Sequence, residues 1–131
     1  MDKCKNTFLT FCQTISTLRS KKGCPWDQKQ TSKSLKKYLL EECQELIDAI
    51  DTDDSSHICE ESGDLLFLLV LLSKIHEEAG NFNMEDVICG INEKMIRRHP
   101  HVFGDVVVKS EEDLKILWET IKSEEKAKKT N

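Results

Sequence analysis

The sequence predicts an all-α domain, and three observations predict it. Only two prolines and five glycines interrupt 131 residues, so long stretches run without a helix breaker. Apolar residues recur at three-and-four spacing in five separate segments, the mark of helices with one apolar face. No segment reads as a strand, and neither an internal repeat nor a linker divides the chain. One domain with a core of modest size fits this length.

The first helix is expected over about residues 7–20, where Phe8, Phe11, Cys12, Ile15 and Leu18 share a face. Lys21-Lys22-Gly23 is a carboxy-terminal stop signal, and Cys24-Pro25-Trp26-Asp27 reads as a loop. The second helix starts near Thr31 or Ser32, either of which can cap it. Leu35, Leu39, Cys43, Leu46, Ile47 and Ile50 form its core stripe, and Asp51-Thr52-Asp53-Asp54 ends it in a polar turn. The third helix is expected over about residues 56–79, before Gly80, with Ile58, Leu65, Leu69 and Leu72 on one face. Its stretch 65–72 is apolar all round and must be covered by protein on every side. In so small a domain the expected outer cover is another subunit, which predicts a homodimer or homotetramer. The fourth helix starts at Asn83, with Asp86 in a capping-box-like position. It carries Val87, Ile91 and Met95, ends before Pro100, and is followed by a loop through Gly104. The last helix begins at Ser110, with Asp113 in the reciprocal position, and carries Leu114, Leu117, Trp118 and Ile121. Residues 1–122 then form the domain. Residues 123–131, rich in Lys and Glu with no apolar face, form a solvated tail.

Composition excludes several function classes. The net charge is −5, which does not suggest the basic surface of a nucleic-acid binder. It leaves room for a small anionic substrate met by cations or local basic residues. Six cysteines are present, but none forms a C-x-x-C pair, so a zinc site is not expected. Cys43, Cys59 and Cys89 fall within helical patterns, where a free cysteine serves as a small buried hydrophobe. The polar amino terminus lacks the apolar stretch of a signal peptide. Reduced thiols in a cytoplasmic protein are the simplest reading, and the run 65–72 is far too short to span a membrane.

The informative residues are acids. With about 100° per residue and Leu39 at the centre of the second helix's stripe, Glu42 lies about 60° and Glu45 about 120° off centre, on the same side. Glu41 and Asp48 point nearly away from the core. On the third helix, centred on Leu65, Glu61 falls about 40° from the middle of the apolar stripe and Asp64 about 100° off, on the same side as Glu61. A carboxylate in the middle of an apolar face must be paired, protonated or bound to a cation. The two i,i+3 acid pairs lie on consecutive helices joined by a short turn, which pack antiparallel. If the pairs face each other, four carboxylates converge where multivalent cations would stabilise them. No E-x-x-H pattern accompanies these acids, which argues against a di-iron centre. All-oxygen ligation favours Mg²⁺, with Mn²⁺ able to substitute. A buried salt bridge from Lys94, Arg97 or Arg98 is the plainer alternative. On the fourth helix Lys94 and Arg98 lie within about 60° of the stripe centred on Ile91 and point inward, whereas Arg97 points more outward. Inward cations suit phosphate oxygens, which Arg grips bidentately. Trp26 reads as packing in the Pro25 turn, and His99 and His101 as shaping the turn at Pro100.

Glu41-Glu42-Cys43-Gln44-Glu45 followed by Glu61-Ser62-Gly63-Asp64 resembles the E-E-x-x-E … E-x-x-D signature of the MazG nucleotide pyrophosphohydrolases. Gly23-Cys24-Pro25-Trp26-Asp27, Gln30-Thr31, Leu39-Leu40, and Asn92-Glu93-Lys94 with Arg97-Arg98-His99-Pro100-His101-Val102-Phe103-Gly104-Asp105 also look like that family, as does Trp118-Glu119 with Lys122. The resemblance covers roughly residues 8 to 122. It implies a four-helix core plus a carboxy-terminal helix, usually in an oligomer. It also implies Mg²⁺-dependent hydrolysis of a nucleoside triphosphate to monophosphate and pyrophosphate, by water attack on the α-phosphorus. By position Glu42, Glu45, Glu61 and Asp64 match the family's metal ligands. Lys94 and Arg98 match its phosphate contacts, with a weaker claim for Arg97, and Trp118 matches its nucleotide-contacting aromatic. The residues do not single out a general base: Glu41 or Glu45 could serve, or a metal-bound hydroxide could suffice, and Glu42 is the further catalytic candidate. The rival reading is a non-catalytic helical module that binds a nucleotide or only oligomerises.

Overall fold

A computed structural model describes residues 2–130, with the side chains of residues 3 and 6–129. Among them every regular element is a helix, in the order α1 (Asp2–Arg19), α2 (Pro25–Lys29), α3 (Ser32–Thr52), α4 (Ser55–Glu78), α5 (Met84–Arg98), α6 (Pro100–Phe103) and α7 (Glu111–Thr130). The all-α expectation is therefore met. Two short helices, α2 and α6, replace stretches expected to be loops. Each begins at a proline, whose fixed φ suits the first helical turn. The chain separates into two compact units, Met1–Met84 and Glu85–Asn131. No helix is long and apolar enough to cross a membrane.

In the first unit α4 packs against both α3 and α1, and α2 against α1. Ile15 of α1, Leu35 of α3, and Leu68, Val70 and Leu71 of α4 form the buried centre, with Phe8, Phe11, Trp26, Tyr38 and Leu39 packed around it. Each such side chain contributes about 1.5–3 kcal/mol by leaving water. Leu68 and Leu71 lie towards one side of α4 and Val70 towards the other. The all-round apolar run is thus largely covered within this chain. Leu66 and Leu69 remain outside that cover, 40% and 44% exposed, so Leu69 does not belong to the core face assigned to it from the sequence. On α3, Ile47 and Ile50 are likewise exposed while Ala49 is buried. Cys43, Cys59 and Cys89 are exposed and unpaired, not buried as expected. Their small side chains sit on helix faces that this chain leaves open.

The caps explain the helix ends. The Thr31 hydroxyl accepts from the Ser34 N–H, and the Ser34 hydroxyl accepts from the Thr31 N–H, a reciprocal cap. Asp53 closes α3 in the left-handed region at φ 59°, and the Asp54 carboxylate accepts from the N–H groups of Ser56 and His57 to open α4. Only these two residues link the helices, so α3 and α4 form a tight antiparallel hairpin. A side chain at Gly23 would collide with the Thr17 and Leu18 carbonyls, because the chain turns back there to bond the Cys24 N–H to Leu18. Arg19 then fastens α2. Its guanidinium donates to the carbonyls of Asp27, Gln28 and Gln30 and pairs with Glu78 of α4, holding the Glu78 carboxyl below its usual range.

In the second unit the Ser110 hydroxyl accepts from the Asp113 N–H, and Asp113 in turn accepts from the Lys109 N–H. The expected α5 stripe of Val87, Ile91 and Met95 is exposed, and no residue of α5 is fully buried. Helix α7 continues through Thr130. The stretch from Ser123, expected to be a solvated end, is helical to that point; Asn131 lies outside the described residues. The described side chains of that stretch are exposed except Glu125, which is half-buried.

Candidate functional site

The α3–α4 hairpin brings together the four acids singled out from the sequence. Glu42, Glu45, Glu61 and Asp64 each offer a carboxylate oxygen, and these oxygens lie within 4.8 Å of one another. Their burial follows the helical geometry. Glu61 is buried at 9% exposure, Glu42 is half-buried, and Glu45 and Asp64 form the open rim. Glu41 is exposed and outside the cluster. One oxygen each of Glu42 and Glu61 is sealed from solvent with no hydrogen-bond partner.

Such crowding opposes ionisation. Burial, then the adjacent Glu45, then Asp64 and Glu61, push the Glu42 carboxyl up to about 7. Burial, Glu45 and Asp64 also raise Glu61, against a smaller opposing pull from His57. Among the described residues of the first unit, the one basic side chain within ion-pair distance of the four acids is His57, whose Nε2 lies 3.4 Å from Glu61 Oε1. The sequence reading passed over this histidine because it sought E-x-x-H, whereas His57 precedes Glu61 by one full turn. The two orphaned oxygens, the convergent donors and their all-oxygen chemistry fit a hard divalent cation.

The basic residues belong to the second unit. Arg97 Nε donates to Glu125 Oε1 at 2.7 Å, and Arg98 Nη2 to Glu125 Oε2 at 3.0 Å. These bonds hold the Glu125 carboxyl down to about 2. Arg97 is the more exposed of the two arginines, as its helical angle predicts. Each arginine thus has a carboxylate partner within its own unit. Lys94 and the two arginines line a cavity of about 670 Å³ together with Lys128 and Lys129 of α7. The Trp118 indole N–H donates to the Arg98 carbonyl at 2.9 Å, and its ring meets His99 edge-on. His99 Nδ1–H donates to the Met95 carbonyl at 2.6 Å, while His101 Nδ1 is buried without a partner. Glu125 was missed from sequence, although it lies seven residues past Trp118 and so on the same helical face.

Residues 30–103 match the model of the MazG nucleotide pyrophosphohydrolase domain. The chain belongs to this family. The MazG match takes in all four acids and Lys94, Arg97 and Arg98. The chain is 54% identical over 115 residues to the nucleoside triphosphate pyrophosphohydrolase/pyrophosphatase MazG of Thermotoga maritima, covering 88% of this chain and 44% of that one. It is 42% identical over 107 residues to the nucleoside triphosphate pyrophosphohydrolase of Escherichia coli, covering 82% and 41%. An uncharacterised Bacillus subtilis protein, YabN, is 54% identical over 119 residues, 91% of this chain and 24% of that one. The chain thus spans less than half the length of these curated relatives. The crystal structure of a MazG-related protein from Thermotoga maritima superposes with a TM-score of 0.71 at 26% identity, covering 87% of this chain and 97% of that one.

Proposed function

We propose that this MazG domain hydrolyses nucleoside triphosphates to nucleoside monophosphate and pyrophosphate in a Mg²⁺-dependent reaction. The observation that carries the reading is the four-carboxylate cluster with its two orphaned oxygens. A structural bundle has no use for them, and polar atoms left sealed from water and unpaired oppose folding. Glu42, Glu45, Glu61 and Asp64 would hold the metal, with Mn²⁺ able to substitute. Bound there, Mg²⁺ supplies Lewis-acid screening of phosphate charge and makes water a better nucleophile at neutral pH.

The chain's own residues do the rest. Water adds to the α-phosphorus, the bond to the bridging oxygen breaks, and pyrophosphate leaves with that oxygen. Glu41 or Glu45 takes the proton lost by the water. Lys94 and Arg98, with a lesser part for Arg97, neutralise charge on the phosphates, and Trp118 contacts the base, as the family's pattern assigns them. Residues 1–122 form the catalytic domain in this proposal, with the family's four-helix core and carboxy-terminal helix. Residues 123–131 form an extension. The substrate is a small phosphorylated molecule rather than a nucleic acid, consistent with the acidic net charge. The unpaired thiols support a cytoplasmic setting. Exposed Leu40, Ile47 and Ile50 on one face of α3, with Leu66 and Leu69 on α4, support a homodimer or homotetramer.

The test is product analysis with a panel of nucleoside triphosphates and Mg²⁺, with Glu42→Gln alongside. The expected products are monophosphate and pyrophosphate, lost in the variant. Diphosphate and phosphate would overturn the scissile bond. No turnover by folded, Mg²⁺-supplied protein would leave a binding module.

A further inference from the structure

Glu125 lies beyond the matched domain residues, yet it has the closest polar engagement with the arginines. It is a single carboxylate facing two guanidinium groups, with bonds of 2.7 and 3.0 Å and a third, longer one of 3.5 Å from Arg98 Nε. Its side chain and that of Arg98 are about four-fifths buried, at 19% and 22% exposure. A carboxylate and a phosphate present the same paired oxygens to a guanidinium fork, so Glu125 occupies the seat that a phosphate would take. The seat opens into the cavity that Lys94, Lys128 and Lys129 also line.

We propose that Glu125 is a built-in competitor for the anion seat of Arg97 and Arg98, displaced by a chain of two or more phosphates but not by a single phosphate. The proposal rests on the reading of Arg98 as a phosphate contact. A tethered carboxylate competes at an effective concentration on the millimolar scale. A lone phosphate brings only slightly more charge than the group it must evict, about −1.5 to −2 against −1. A pyrophosphate or triphosphate chain brings more charge, and its further oxygens reach the cavity's lysines while one phosphate takes the seat. The competitor therefore sets a threshold. It weakens every seated phosphate by the same factor, so the monophosphate, which lacks the further contacts with the cavity's lysines, falls below the threshold first and clears fastest.

The test is calorimetric titration with inorganic pyrophosphate and inorganic phosphate in a metal-free, chelator-containing buffer, which removes any contribution from metal at the acid cluster. The proteins compared are wild type, Glu125→Gln, Glu124→Gln and Arg98→Gln, each checked for native helicity. Glu125→Gln is expected to bind phosphate roughly threefold to tenfold more tightly, the scale of releasing a partly buried charge pair. Pyrophosphate, whose seated phosphate must displace the same carboxylate, should gain by a similar factor. Glu124→Gln removes the same charge from the same cavity without touching either arginine, and should leave both affinities near wild type. Should Glu125→Gln not fold, Glu125→Asp keeps the charge, withdraws it from the forks, and is expected to shift phosphate binding in the same direction. Unchanged or weaker phosphate binding in the Glu125 variant would overturn the proposal, making Glu125 a residue that positions the arginines. So would an equal gain in Glu124→Gln. If Arg98→Gln leaves pyrophosphate binding intact, the phosphate-contact reading itself falls. If Arg98→Gln abolishes binding and Glu125→Gln brings no gain, the seat stands and only the competitor is lost.

Discussion

Metal binding by the acid cluster should release protons in a way the structure sets quantitatively. Without metal, burial and the neighbouring carboxylates hold Glu42 protonated up to about pH 7. A cation binds only the ionised form, so each binding event expels whatever proton Glu42 carries. A pKa of about 7 implies that Mg²⁺ releases from Glu42 about 0.9 protons at pH 6, about 0.5 at pH 7 and about 0.1 at pH 8. Glu61, raised in the same direction, adds to each figure. Competition with that proton weakens Mg²⁺ about fivefold between pH 7 and pH 6. The assay is titration calorimetry in buffers of different ionisation enthalpy, where the slope of apparent heat against buffer enthalpy counts protons. Glu42→Gln should flatten the slope. A slope of zero in the wild type from pH 6 to pH 8 would refute the argument, because it would mean that the four carboxylates ionise independently. The stability corollary has a definite sign. Glu42's folded pKa lies above its unfolded value, so its contribution to the metal-free fold is fully present at acid pH. That contribution is lost as pH rises through about 7.

Four further outcomes are expected. Arg19→Ala frees three carbonyls and one carboxylate from a largely buried guanidinium and should cost about 3 kcal/mol, measured by urea denaturation; a loss under half that would mean that α2 is held by packing instead. Leu71→Ala, at a fully buried position, should cost about 2–5 kcal/mol on the same assay. Leu66→Glu and Leu69→Glu should reduce an oligomer to monomers by light scattering, while a wild type that is monomeric at high concentration would overturn the proposed assembly. The Glu125 carboxyl is held down to about 2, so its stabilisation is present above the ordinary glutamate range and disappears as pH falls through about 2. The stability gap between wild type and Glu125→Gln should therefore close in acid.

Helix angles alone ranked the four acids in their order of burial, because a helix is rigid enough for 100° per residue to carry from Leu39 to Glu45 and from Leu65 back to Glu61. The same rule failed for Ile47, Ile50 and Leu69. An apolar stripe tells which face is apolar, not whether this chain covers it. Glu125 escaped notice because an acidic residue among lysines looks solvated until its partners on another helix are known. His57 was legible at four-residue spacing and was lost to a search pattern built for a different metal. The helices α2 and α6 are too short for periodicity to register, and only their leading prolines could have announced them.

The two-residue link between α3 and α4 has a consequence for how the protein comes to exist. All four acids lie on one helical hairpin, residues 32–78, so the contacts that gather them are close in sequence and carry little loop-closure entropy. The repulsive cluster then forms with an early, local element rather than as the last act of assembly. Each nascent chain thus meets its four-carboxylate repulsion near the start of folding. Magnesium in the refolding medium should therefore accelerate folding as well as slow unfolding.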